Sequence, residues 1–208
     1  MEATHDSVPV VNKRPPISRQ KSNQFRVIAG EHRGRVLTFP EVEGLRPTPD
    51  RVRETLFNWL QLSIAGASCL DLFAGSGALS IEACSRGASQ VLSVELSSDA
   101  INSLKNNLEK LELDNINTLQ SDALSWLNQV KESESFDIIF LDPPYSLKLL
   151  PELISKIEEQ GLLAEQGFVY LENNSPLEEL ELPDDWLLKK SKKAGQVYFG
   201  ICQKTDCS

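Results

Sequence analysis

The sequence predicts a doubly wound, mostly parallel α/β sheet preceded by a small N-terminal extension, and three observations carry that prediction. From Ser68 onward, short apolar runs alternate with stretches of helical periodicity, the pattern of strands joined by crossover helices. A glycine-bearing loop, Ala74-Gly75-Ser76-Gly77, directly follows the first of those strands. A later apolar run, Phe136 to Leu141, stops abruptly at Asp142-Pro143-Pro144-Tyr145. Two successive prolines cannot extend a central strand, because neither has an N–H for the ladder and each restricts the residue before it.

Taken in order, residues 1–23 hold Pro9, Pro15 and Pro16 among polar residues with no apolar period, and are expected to form a disordered tail. Phe25–Ala29 and Arg35–Phe39 are strand-like, and Gly30-Glu31-His32-Arg33-Gly34 between them can turn, predicting a hairpin. Thr48 can cap a helix with Pro49 at its first position, after which Val52, Leu56, Trp59 and Leu60 fall on one face. Residues 24–62 therefore read as a hairpin and helix, and residues 63–204 as the main domain.

In the main domain Cys69–Phe73 is the first strand, and a helix runs from Ala78 to about Arg86, where Gly87 ends it. Gln90–Glu95 and Ile116–Gln120 are the next strands, separated by a helix from about Ser98 to Leu111 with Ile101, Leu104, Leu108 and Leu111 at helical spacing. A helix from Asp122 through Val130 leads to the Asp142 strand, and one from about Leu149 to Glu159 leads to a strand Gly167–Glu172. Trp186–Lys190 and Val197–Cys202 close the sheet as a hairpin pair, making seven strands.

Composition bounds the function. No segment approaches the roughly 18 apolar residues of a membrane span, and no signal or transit pattern stands at the N-terminus, where Glu2 and Asp6 occur early. No membrane association and a cytoplasmic location are expected. Cys69, Cys84, Cys202 and Cys207 lack metal-ligand spacing, so no metal is expected. The net charge of −9 is unevenly spread: through Arg53 there are 10 Lys and Arg against 6 Asp and Glu, and beyond it 11 against 24. The basic front is thus the part expected to face a polyanion, with Arg26, Arg33, Arg35, Arg46, Arg51 and Arg53 as candidate contacts. His32 is read as a surface residue without a catalytic role.

The chemistry gathers at strand ends. In an open α/β sheet, ligands bind outside the carboxyl ends of the strands. Gly75 and Gly77 let backbone approach a ligand closely, but Ser80 stands where a dinucleotide fingerprint would place a third glycine. Glu95, closing the second strand, suits both hydroxyls of a ribose, which fits either a nicotinamide dinucleotide or S-adenosylmethionine. Asp71 can meet an ammonium group and Asp122 an adenine amine, so together they favour a ligand with a nucleoside and an amino-acid end; each also has a structural role available, as a strand-end acid and a helix cap. At the Asp142 turn, a carboxylate and the Pro143 carbonyl can accept from the NH2 of a planar aromatic amine, favouring a more nucleophilic nitrogen. The Tyr145 ring can stack on the base.

Phe73-Ala74-Gly75-Ser76-Gly77, Glu95, Asp122 and Asp142-Pro143-Pro144-Tyr145 resemble the motifs of class I S-adenosylmethionine-dependent methyltransferases that modify exocyclic amines. Arg33-Gly34-Arg35, Gly44-Leu45-Arg46-Pro47-Thr48, the run from Asp50 to Leu60 and Lys193-Ala194-Gly195-Gln196-Val197 narrow the resemblance to the bacterial 16S rRNA guanine-N2 methyltransferases of the RsmD family, over about Phe25 to Lys204. Pro49 and the long N-terminal tail depart from that family's pattern. The resemblance implies a seven-stranded Rossmann-like methyltransferase sheet, with S-adenosylmethionine held by Asp71, Phe73, Ala74, Gly75, Ser76, Gly77, Glu95, Asp122 and Ala123. It implies catalysis at Asp142, Pro143, Pro144 and Tyr145, and a monomer acting on 16S rRNA in the small ribosomal subunit or its assembly intermediate, with Lys193 added to the arginines as an RNA contact. A DNA adenine or protein glutamine amino-methyltransferase would use the same turn, and a non-catalytic ribosome assembly factor could keep the fold; the intact Asp142 turn argues against the last.

Overall fold

The computed structural model describes residues 22–41, 48–131, 134–144 and 148–205. The expected tail up to Lys21, Arg46 and Tyr145 lie outside the described residues. The chain order is β1 (Ser22–Arg26), β2 (Val36–Pro40), α1 (Asp50–Trp59), β3 (Ser68–Asp71), α2 (Ala78–Ser85), β4 (Gln90–Glu95), α3 (Ser98–Leu111) and β5 (Ile116–Gln120). It continues with α4 (Ala123–Leu127), β6 (Phe136–Leu141), α5 (Leu150–Glu159), β7 (Leu163–Asn173), β8 (Trp186–Ala194) and β9 (Val197–Lys204).

The main sheet has the order β5-β4-β3-β6-β7-β9-β8. β5 through β7 are parallel, while β9 runs antiparallel between β7 and β8. The expected seven-stranded, doubly wound sheet is therefore present, and the order reverses between β3 and β6, which places a switch point between the glycine loop and Asp142. Boundaries differ in a few places. β3 ends at Asp71, releasing Phe73 into the loop, and α4 ends at Leu127 and not Val130. β7 begins four residues earlier than expected, because Leu163 pairs with Phe136 before an irregularity shifts the register to Ile138 and Phe168.

One face of the sheet packs under α1, α2, α3 and the β1–β2 hairpin, where Phe25, Phe39, Leu56 and Phe57 meet Ile138, Phe140 and Tyr170 in a single cluster. The hairpin and α1 thus share the main core and build none of their own. The other face is covered by α4 and α5, with Leu127, Leu153, Ile154 and Ile157 against Ile139, Leu141 and Leu171. Alternation along parallel strands fixes these faces: Cys69, Phe140, Tyr170 and Ile201 point to the first, and Leu70, Leu141, Leu171 and Cys202 to the second. Burial pushes the thiols of Cys84 and Cys202 up to about 11 and about 12, so they act as packing groups. Among the described residues no helix is long and apolar enough to cross a membrane.

α1 corrects the sequence reading twice. Thr48 does not cap it: Pro49 occupies the cap position without a side-chain bond, and the Thr48 hydroxyl points elsewhere. The buried face includes Arg53 and Phe57, while Trp59 is only half-buried and stacks on Phe199 with ring centroids 5.5 Å apart.

Candidate active site

The glycine loop is shaped at the carboxyl end of β3. Gly75 and Gly77 have φ of 51° and 78°, the left-handed region that favours glycine. A side chain at Gly77 would also strike Leu104, whose Cδ1 lies 2.3 Å from the position of a Cβ. The Gly75 N–H donates to Glu95 Oε2 at 2.8 Å and the Ser97 N–H to Glu95 Oε1 at 2.7 Å. Glu95 thereby ties the loop to the end of β4, which fixes where its carboxylate faces.

Asp71 is buried, and accepts from the Ser80 hydroxyl at 2.6 Å, which in turn accepts from the Ser93 hydroxyl at 2.7 Å. Burial raises its carboxyl to about 6 against the pull of the Ser80 bond, with the Glu95 charge adding to the rise. Ser80, the residue that breaks the dinucleotide pattern, is thus the partner of this acid. Asp122 caps α4 by accepting from the Ser125 N–H at 2.8 Å and remains exposed, with Ala123 buried beside it. Asp71, Glu95 and Asp122 stand at or just beyond the carboxyl ends of three neighbouring strands, β3, β4 and β5.

Asp142 follows β6 across the switch point. Its Oδ2 accepts from the Thr48 hydroxyl at 3.3 Å, so the segment that enters α1 reaches over the sheet to hold the acid. Burial lifts the Asp142 carboxyl well above the usual carboxylate range, the Glu172 charge lifts it further, and the Thr48 bond opposes both. Glu172 is 2% exposed and accepts a hydrogen bond from the Tyr170 hydroxyl. Pro143 is buried and Pro144 exposed. A cavity of about 250 Å³ opens beside the turn, lined by Pro143, Pro144, Lys148, Glu172 and Asn173 among others.

Sequence reasoning missed Glu172, Tyr170 and the reach of Thr48. The signal for Glu172 was present: an acid ends a buried strand, as Asp71, Glu95 and Asp142 do.

The basic residues divide. Arg33, Arg35 and Arg51 are exposed, and exposed Arg26 donates to the Gly34 carbonyl at 2.9 Å across the hairpin. The hairpin tip docks on the far end of α2, where the Glu31 N–H donates to the Ser85 carbonyl at 2.8 Å. At 1.5 Å per residue this lies about 10 Å along α2 from the glycine loop, so Arg33 and Arg35 flank the site and do not line its mouth. Arg53 is a correction: it is 0% exposed, donates to the carbonyls of Thr48 and Arg26 at 3.2 and 2.9 Å, and lies 3.6 Å from buried Glu82, so its charge serves the core and no RNA surface. Lys193 is exposed, with its ammonium 4.5 Å from the Tyr198 ring centroid, and Lys189, Lys190 and Lys192 extend the basic strip along β8.

The family model described as Conserved hypothetical protein 95 matches residues 25–203. Ribosomal RNA small subunit methyltransferase D of Escherichia coli (strain K12) is 43% identical over 88% of this chain and 91% of its own length. The solved structure of yhhF from Escherichia coli is 42% identical, covers 88% of this chain and 99% of that one, and superposes with a TM-score of 0.81. The fold is shared more widely: SMU.776, crystallised with SAH, is 18% identical, with a TM-score of 0.69 over 93% of this chain and 58% of that one. The chain therefore belongs to the Conserved hypothetical protein 95 family, the family of the small-subunit ribosomal RNA methyltransferase D proteins.

Proposed function

We propose that this chain is an S-adenosylmethionine-dependent methyltransferase of small-subunit ribosomal RNA, and that it methylates the exocyclic N2 of a guanine. The observation that carries the reading is the placement of Asp142, held by Thr48 at the carboxyl end of β6 and across the switch point from the Gly75–Gly77 loop. The donor set suits the cofactor. Asp71 offers a carboxylate to its ammonium, Glu95 to its ribose hydroxyls and Asp122 to its adenine amine, while the Phe73–Gly77 backbone and Ala123 wall the site. Bound there, S-adenosylmethionine supplies a sulfonium methyl.

The protein's task is then positioning and polarisation. The Asp142 carboxylate and the Pro143 carbonyl accept from the two N–H groups of the guanine amine, drawing its lone pair out of conjugation toward the transferable methyl. Pro143 and Pro144 stiffen the turn that aims both acceptors, and Tyr145 stacks on the base. The base leaves its stack to reach the turn. Arg26, Arg33, Arg35, Arg46, Arg51 and Lys193 hold phosphates of 16S rRNA, in the small subunit or an assembly intermediate, with the chain acting as a monomer.

Single-turnover transfer from labelled cofactor to small subunits lacking the modification tests the reading, with the product nucleoside identified by mass spectrometry. N2-methylguanine is expected. A label on adenine, a ring carbon, a ribose oxygen or protein would overturn it.

A further inference from the structure

Resting on the RNA-methylation reading above, we propose that the edge strand β8 is a further phosphate-binding surface, on which Lys190 and Lys192 join Lys193 in holding the rRNA backbone beside the target base. Positive charge is concentrated there against the trend of the chain. Beyond Arg53 acids outnumber Lys and Arg by 24 to 11, yet four of those 11, Lys189, Lys190, Lys192 and Lys193, fall within five residues. No Asp or Glu occurs from Trp186 to Thr205. All four lysines are exposed, and among the described residues none of them makes an ion pair. Lys204, at the other end of the same hairpin, shows the contrast: Glu158 and Asp185 stand 3.1 and 3.3 Å from its ammonium and answer its charge within the protein.

The register sets the strip at the level of the site. Lys193 lies opposite Tyr198 on β9, Tyr198 opposite Asn173 on β7, and Asn173 stands two residues beyond Leu171, the partner of Leu141. Lys193 is therefore level with the segment just past the carboxyl end of β6. Lys190 lies opposite Ile201, which pairs with Tyr170 and through it with Phe140, so the strip runs back from that level along the sheet edge. β8 is three strands from β6 in the sheet order, roughly 14 Å at about 4.8 Å per strand, a reach that a short run of nucleotides spans. Lys190 and Lys192 share the face of their partners Ile201 and Phe199, and stand roughly 6.6 Å apart at about 3.3 Å per residue. That spacing is on the scale of successive phosphates along one strand.

Aromatic rings hold two of the ammonium groups in place. Lys192 Nζ lies 5.8 Å from the Trp59 ring centroid. Lys193 Nζ lies 4.5 Å from the Tyr198 ring centroid and donates to the Tyr198 hydroxyl at 2.8 Å. A ring attracts a cation without neutralising it, so the charge stays available, and a lysine already ordered loses less freedom on meeting a phosphate. Glu178 accepts from the Ser191 hydroxyl at 2.6 Å, but Ser191 alternates to the face opposite Lys190 and Lys192. Charge on an edge strand also resists pairing with another strand. That role alone asks for neither the aromatic supports nor a stretch cleared of acids.

Lys190→Gln with Lys192→Gln is compared with Lys105→Gln with Lys110→Gln, two exposed lysines of α3, so that both doubles lose the same charge. Binding to small subunits lacking the modification is followed by fluorescence anisotropy of labelled protein across a salt series, with no methyl transfer required. The β8 double should lower the slope of log affinity against log salt by about two units, roughly one per lost phosphate contact, and the α3 double should not. Lys190→Arg with Lys192→Arg should keep the parental slope. An unchanged slope in the β8 double, or an equal fall in the α3 double, would overturn the strip. Self-association of the β8 double at the parental slope would overturn it too, and would assign these lysines to guarding the edge. Because binding is read apart from chemistry, a wild-type product other than N2-methylguanine fails the functional reading while the slopes still decide on the strip. A parent that bound no small subunits would overturn both.

Discussion

The Arg53 guanidinium lies 3.6 Å from the Glu82 carboxylate, with both side chains fully buried. Glu82 also accepts from the N–H groups of Ile28 and Ala29 at 2.8 and 3.0 Å and from Arg86 at 2.7 Å, while Arg53 packs 5.5 Å from the Phe25 ring centroid. One ion pair therefore joins the hairpin, α1 and α2. Arg53→Ala leaves Arg86 beside Glu82 but takes one cation from that buried network and unpairs the carbonyls of Thr48 and Arg26, so it should cost about 2–3 kcal/mol in denaturant unfolding. Arg51→Ala, two residues away and exposed, should cost less than about 0.5 kcal/mol. Equal effects would remove the structural role assigned to Arg53.

The exposed arginines predict the converse. Removing Arg33, Arg35 and Arg51 together should weaken binding to small subunits and lower the salt slope by roughly one unit per lost phosphate contact, while cofactor affinity and thermal stability hold. An unchanged slope would assign the hairpin another task.

Much of this was legible because it rests on local rules. The helix from Ser98 to Leu111 was readable to the residue, since Ser97 caps it by accepting from the Ala100 N–H and its apolar spacing is regular. Asp71, Glu95 and Asp142 were readable as acids at the ends of apolar strands. Arg53 was not, because a count of charges assigns an arginine to the surface until its partner is known, and Glu82 is 29 residues away on another helix. Thr48 followed the rule for a cap, but Pro49 holds that position and the hydroxyl is drawn to Asp142, 94 residues distant. Glu172 was read only as the last residue of a strand, because its meaning depends on the β6–β7 register, which sequence alone does not fix.

Asp71 predicts a pH dependence. Its folded value of about 6 exceeds the ordinary 3.8, so its contribution to stability is fully present below about pH 4 and is lost as pH rises toward 6. A cofactor ammonium beside it would favour the ionised form. Cofactor binding below about pH 6 should thus release a proton and weaken as pH falls, and Asp71→Asn should flatten that dependence. Calorimetry in buffers of differing ionisation enthalpy counts the proton; no release at pH 5 would remove Asp71 from the ammonium site.

Thr48 gives a signed test of the Asp142 environment. Its hydroxyl lowers the Asp142 carboxyl, opposing burial and Glu172. Thr48→Val should therefore raise that carboxyl further and move the acid limb of methyl transfer to higher pH. A limb that moved down, or not at all, would mean that Thr48 does not hold the ionised acid.

Asp142 itself carries the chemical prediction. Asp142→Ala removes one acceptor from the amine but leaves Glu95, Asp71 and the glycine loop in place, so cofactor affinity should persist. It also removes an acid whose ionised form desolvation and the Glu172 charge oppose, so the variant should be no less stable than the parent near neutral pH. Turnover should nevertheless fall about a hundredfold or more, the scale of losing one positioned hydrogen-bonding group at the reacting atoms. Asp142→Asn separates the two duties of the carboxylate: its amide oxygen still accepts from the amine but cannot take up the proton, so its rate should lie between those of parent and Ala and lose the acid limb. The measurement is single-turnover transfer across a pH series with saturating cofactor, which removes binding from the comparison. An Asp142→Ala enzyme at the parental rate would place the chemistry elsewhere on the sheet.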